Sequence, residues 1–157
     1  MAQPRIAAAY RLLFLYAEPV GALYGALLAA RAPLKYLYLV SPDAPAYYHP
    51  SLQVVLDQLA ATYFLFAFNE AAVLRVAGND NVRVWSAMTC GMLLCDLLHI
   101  RAAGSALGWR SLLDPAGWRF EEWFVMIPTC GFAAARVAFL LGIGVAGEEA
   151  RPKIKTG

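Results

Sequence analysis

The chain has 157 residues, of which 61% are hydrophobic and 15% charged, and its mean hydropathy is +0.53. Soluble domains carry about a quarter charged residues, so this composition excludes disorder, and the length allows only one domain, which excludes a large soluble enzyme. A net charge of +2, with no basic stripe interleaved with aromatics, excludes a nucleic-acid partner and leaves a small polytopic membrane protein, a single domain over 1–157.

A membrane helix needs roughly 20 apolar residues. Four segments meet that length, at about 7–30, 52–77, 84–103 and 123–147. Arg11 and Glu18 interrupt the first, which makes it a poor signal peptide and a permanent helix. Between the first and second segments, Pro33, Pro42, Pro45 and Pro50 stand among Tyr36, Tyr38, Tyr47 and Tyr48, as in an ordered interfacial loop with aromatic anchors. The short turn Gly78-Asn79-Asp80-Asn81 makes the second and third segments antiparallel neighbours. A connection from Gly104 to Glu122, with Trp109, Asp114-Pro115 and Trp118, leads to a fourth helix starting near Glu121, Glu122 and Trp123.

The expected fold is therefore all-α: an integral membrane four-helix bundle with both termini on one side, followed by a short basic tail. Lysine and arginine counts on the two sides tie. Lys153 and Lys155, fifth and third from the end, resemble a cytosolic dilysine signal for the endoplasmic reticulum, which would make that side cytosolic. A merely solvated basic tail is the alternative.

An ionisable group near the bilayer centre costs about 2.5–3.5 kcal/mol, so each needs a partner or a function. The candidates are Glu18, Asn69, Glu70, Asp96, His99 and Arg136. At about 1.5 Å per residue, Glu18, Asp96 and Arg136 (counted back from Gly147) fall near a common depth of about 17–18 Å, with Glu70 near 10 Å and His99 near 22 Å. Asp96 and His99 are i,i+3 on one face, and Tyr63, Phe66 and Glu70 stack along another with Asn69 beside them. Pro19 weakens the helix ladder directly after Glu18. Gly21 and Gly25 form a GxxxG step, usable for packing within the bundle or for a homodimer.

One arginine neutralises one carboxylate of three, so a second reading stands beside a purely structural ion pair. A buried neutral acid next to an ionised one is the arrangement for general acid and base work. Cys90, Cys95 and Cys130 have neither disulfide nor zinc spacing and read as small core residues. No metal, cofactor, phosphate-binding or nucleophile-elbow motif stands out.

Several stretches together resemble a known family: Ala17-Glu18-Pro19 with a following glycine, Phe68-Asn69-Glu70, Asp96-Leu97-Leu98-His99, Asp114-Pro115 with Trp118, and Arg136 followed by Phe139, Leu140, Gly142 and Gly144. They are similar to small four-helix fungal membrane proteins, and most of all to the membrane hydrolases of the aurovertin, citreoviridin and asteltoxin pathways. The resemblance implies polyketide tailoring in secondary metabolism, with a polyene-derived epoxide opened by water or an internal hydroxyl. Glu18 and Asp96 are then expected as acid and base in undecided order, with Arg136 between them. Glu70 and Asn69 would hold the nucleophile or a substrate hydroxyl, and His99 would support Asp96. Phe14, Tyr63 and Phe66 would line a path for an apolar substrate arriving from lipid. An acid-initiated isomerase or terpene cyclase, and a non-enzymatic assembly or lipid-binding protein, are the alternatives.

Overall fold

A computed structural model of the chain describes residues 5–146, so Lys153, Lys155 and the expected helix end at Gly147 lie outside the described residues. Four helices are long and apolar enough to cross a membrane: α1 (Ala8–Arg31), α3 (Pro50–Ala77), α4 (Val82–Leu107) and α6 (Phe120–Leu140). Two shorter helices lie in the connections, α2 (Pro33–Val40) and α5 (Trp109–Leu112). Leu12, Val20 and Leu27 of α1, Val54, Leu65 and Phe68 of α3, and Leu94, Leu97 and Leu98 of α4 all point outward. Apolar surface of that extent belongs against lipid rather than water.

α1 and α3 form the closest pair, with Ala26 and Ala29 packed on Leu56 and Ala60. Small side chains let the two backbones approach. These alanines carry the close contact expected of the GxxxG step. A Cβ on Gly25 would meet the Tyr63 ring at 3.4 Å, whereas one on Gly21 would meet nothing within 4 Å. α4 and α6 form the second pair. The stretch expected as a loop after α1 contains α2, because Pro33 in the first turn presets a helical φ. α2 is held to the start of α6 by Arg119, whose guanidinium lies 5.0 Å from the Tyr38 ring and donates to the Tyr38 carbonyl at 3.5 Å.

Two boundaries differ from expectation for a glycine reason. α4 runs past Gly104 to Leu107 and stops at Gly108, with φ of +84°. Gly104 sits inside the helix because the Trp109 ring folds back onto it, 2.8 Å from where a Cβ would stand. α6 ends at Leu140, well short of Gly147. Gly142 (φ +79°) donates to the Phe139 carbonyl at 2.9 Å and Ile143 to the Ala138 carbonyl at 3.0 Å, the paired bonds of a Schellman stop. The apolar run Leu141, Ile143, Val145 hid that stop in the hydropathy.

Beyond Gly144, the chain forms β2 (Val145–Ala146), antiparallel to β1 (Arg5–Ile6), a small departure from an all-helical fold. Ile6 also donates to the Asn79 carbonyl at 3.3 Å, and the Tyr10 hydroxyl to the Ile143 carbonyl at 2.8 Å. Both ends of the described chain and the α3–α4 turn thus meet at one end of the bundle. Ile6, Phe14, Leu74, Trp85 and Phe139 fill the space there as an apolar plug, with the Trp85 indole N–H donating to the Gly78 carbonyl at 2.9 Å.

Candidate functional site: a buried guanidinium among three carboxyls

The site begins with two irregular turns. α1 passes through a π-helical turn at Leu13–Ala17 directly before Glu18, and α3 through another at Asn69–Val73, which contains Glu70. A π turn admits an extra residue and rotates everything that follows, and such turns concentrate at functional positions. In α1 the cause is local. Pro19 has no N–H, so the Leu15 carbonyl loses its i+4 donor. Arg75 of α3 supplies a substitute, Nη2 to the Leu15 oxygen at 3.4 Å, with its guanidinium 5.0 Å from the Tyr16 ring.

Arg136 of α6 lies where all four long helices meet. Its Nη1 donates to Asp96 Oδ2 of α4, and its Nη2 to Glu18 Oε1 of α1 and, at 3.1 Å, to Glu70 Oε1 of α3. The Phe14 and Phe66 rings each lie 5.5 Å from its guanidinium carbon, offering their π faces to the cation. Glu18 Oε2, Glu70 Oε2 and Arg136 Nε are buried without a protein partner among the described residues. Arg136 and Glu70 side chains are 0% exposed, against 7% for Glu18 and 11% for Asp96. A substrate could therefore reach only the last two.

Equal depth is not what brings these groups together. Arg136 stands four residues before the end of α6, about 6 Å in, whereas Asp96 is 14 residues, about 21 Å, from the start of α4. Side chains on a helix tilt toward its N-terminus. For α6 and α3 that direction leads away from the apolar plug, and for α1 and α4 toward it. Arg136 and Glu70 therefore lean one way, Glu18 and Asp96 the other, and they meet between.

The charges divide unevenly. Asp96 has Nη1 to itself, whereas Glu18 and Glu70 share Nη2. The site thus sets one cation among three carboxyls, two of which bond the same nitrogen.

Other expected residues lie elsewhere. Phe14 is fully buried under Arg136 and stacks on Tyr10, so it does not line a path from lipid. His99 bonds through Nε2 to the Tyr63 hydroxyl at 3.0 Å, and not to Asp96 as expected. That hydroxyl also meets the Tyr36 hydroxyl at 3.0 Å. The i,i+3 spacing does put Asp96 and His99 on neighbouring positions, but Asp96 turns inward to the arginine. Burial pushes the Tyr36 phenol above its ordinary 10.0, partly offset by its bond with Tyr63. Cys90 and Cys130 are exposed on outward faces rather than in the core, because lipid solvates a thiol as readily as a core does.

Phe66 and Asn69 line a cleft of about 250 Å³ between α3 and α4, together with Met88, Gly91, Met92 and Cys95. Arg75 and the two methionines were not singled out from sequence, and Tyr36 was expected only as an interfacial anchor. Arg75 alone had a signal, a cation inside an apolar helical segment with no acid three or four residues away. Among the described residues, no three His, Cys, Asp or Glu are arranged to hold a metal ion.

A family model described as a domain of unknown function (DUF7704) matches residues 4–146. No curated protein and no solved structure matches the chain.

Proposed function

We propose that this chain, which belongs to the DUF7704 family, is a membrane-embedded, cofactor-independent acid/base enzyme that opens an epoxide on an apolar substrate, with water or an internal hydroxyl as nucleophile. One observation carries the reading: a carboxyl on Nη1 of Arg136 faces, across the guanidinium, two further carboxyls that bond Nη2, so one cation serves three acids. Epoxide opening needs both a proton for the leaving oxygen and a base for the incoming nucleophile.

We take the roles from that asymmetry. Asp96, ionised against Nη1, takes a proton from water or hydroxyl as that oxygen bonds to an epoxide carbon. The carbon–oxygen bond of the ring breaks at the same carbon, and Glu18 delivers its proton to the departing oxygen. The product is a diol, or a cyclic ether with a free hydroxyl. The proton on Asp96 returns to the glutamate pair by exchange with water. Glu70 holds Glu18 and Arg136 in place, and the Asn69 amide in the adjoining cleft orients a substrate oxygen. The resemblance to polyketide-tailoring hydrolases supports the substrate class. Pairing of the two described chain ends supports termini on one side, which we read as the cytosolic face of the endoplasmic reticulum.

A structural reading has one observation in its favour. Arg136 and Glu70 are wholly enclosed and tie four helices together, as a purely architectural ion cluster would be. Feeding epoxides of apolar polyenes to microsomes carrying the protein, in ¹⁸O-water, separates the two. Wild type is expected to yield labelled diol, or an unlabelled cyclic ether. Asp96→Asn and Glu18→Gln, both folded, should lose about 100-fold or more in rate. Unchanged products from both folded variants would return the cluster to architecture.

A further inference from the structure

α3 and α4 are joined by a four-residue turn and pack beside it, and they meet again farther along through the Tyr63–His99 hydrogen bond at 3.0 Å, leaving a gap between. The cleft of about 250 Å³ occupies that gap. Its inner end adjoins the charged cluster. Asn69 precedes Glu70, Cys95 precedes Asp96, and Phe66 separates cleft from guanidinium, with its ring 5.5 Å from the Arg136 carbon. Its mouth lies on α4, where Ala87 and Gly91 are exposed and a Cβ on Gly91 would meet nothing within 4 Å. Met88 and Met92 form adaptable walls, since an unbranched thioether refits itself to irregular guests.

Size decides what fits. Sites that enclose a drug-sized molecule measure about 300–1,000 Å³, so 250 Å³ takes one segment of a larger guest. The remainder must lie outside, where exposed Leu94 and Leu98 on α4 and Leu65 and Phe68 on α3 offer only apolar surface. We infer that the α3–α4 cleft binds the oxygen-bearing segment of a long apolar molecule dissolved in the bilayer, with that oxygen at the Asn69 amide and the tail left in lipid. The assignment rests on the proposed acid/base role for what becomes of the oxygen, but not for binding itself.

A C18 fatty epoxide carrying a diazirine beside the epoxide tests it, photolysed on the protein in phosphatidylcholine nanodiscs with adducts mapped by mass spectrometry. Adducts are expected on the peptide carrying Met88 to Cys95 and on that around Phe66. A tenfold excess of unlabelled epoxide should compete them away, and an equal excess of stearate should not. Gly91→Phe, which fills the mouth, should cut adduct yield and epoxide turnover at least tenfold. Ala87→Phe is the second variant should the first not fold, and Gly91→Ala the control. Adducts elsewhere, equal competition by stearate, or full turnover in both folded Phe variants would overturn the cleft assignment. Competed cleft adducts without any turnover would leave the binding site standing and overturn the epoxide-opening reaction instead.

Discussion

Arg75 Nη2 donates to the Leu15 carbonyl at 3.4 Å, and so serves the one acceptor in α1 that Pro19 leaves without its helical donor. The contact braces the π turn preceding Glu18 from the neighbouring helix, whose own π turn holds Glu70. Arg75→Met removes the donor and should lower stability by about 1 kcal/mol, the net worth of one such bond. Thermal unfolding in detergent measures it, with Arg75→Lys recovering part of the loss.

Pro19→Ala asks whether the π turn aims Glu18. Restoring the N–H lets the α-helical ladder close, and removing one residue's worth of π register turns Glu18 by about 100° away from Arg136. Turnover should therefore fall by about an order of magnitude or more while the unfolding midpoint moves little. A variant that keeps full turnover would take the π turn out of the account.

Arg136 uses two different nitrogens for three carboxyls, which a lysine cannot imitate because its charge is a single point. Arg136→Met leaves the carboxyls buried without their cation and should cost about 3–5 kcal/mol, whereas Arg136→Lys should fold but lose most turnover. Combining Arg136→Met with Glu18→Gln and Asp96→Asn should regain much of the stability and none of the activity. Paired unfolding and turnover measurements check all three. Glu70→Gln, which keeps an acceptor for Nη2 while removing a charge, should be the mildest change at this site.

Gly142 at φ +79° closes α6 in a conformation that costs an L residue about 1–2 kcal/mol. Gly142→Ala should destabilise by roughly 1 kcal/mol. The loss should appear as faster hydrogen exchange at Ile143 and Val145, since the stop leads directly into the β1–β2 pair.

Tyr36 supplies a pH test outside the membrane-spanning helices. Its phenol sits above the ordinary value of 10.0 in the folded state because burial disfavours the anion. The unfolded chain then loses that proton first as pH rises, and binds fewer protons than the native state. The associated stability is present below pH 10.0 and is lost as pH climbs above it. Tyr36→Phe should flatten the alkaline side of a stability-against-pH curve, also removing the hydroxyl that meets Tyr63.

The residues alone determined that the chain forms four helices long and apolar enough to cross a membrane, because composition and run length report directly on transfer from water to lipid. They also determined that Glu18, Glu70, Asp96 and Arg136 must find one another, because each buried charge is too costly alone. How they do so was decided only in three dimensions. The end of α6 depends on two left-handed glycines that hydropathy averages away, so depth counted from Gly147 was misplaced. The phase of Glu18 and Glu70 depends on π turns that no regular periodicity contains. The partner of His99 is a tyrosine from another helix, and Asp96 bonds a different guanidinium nitrogen from the one Glu18 and Glu70 share. Those are contacts between segments distant in the chain, set by packing, and spacing along one helix carries no record of them.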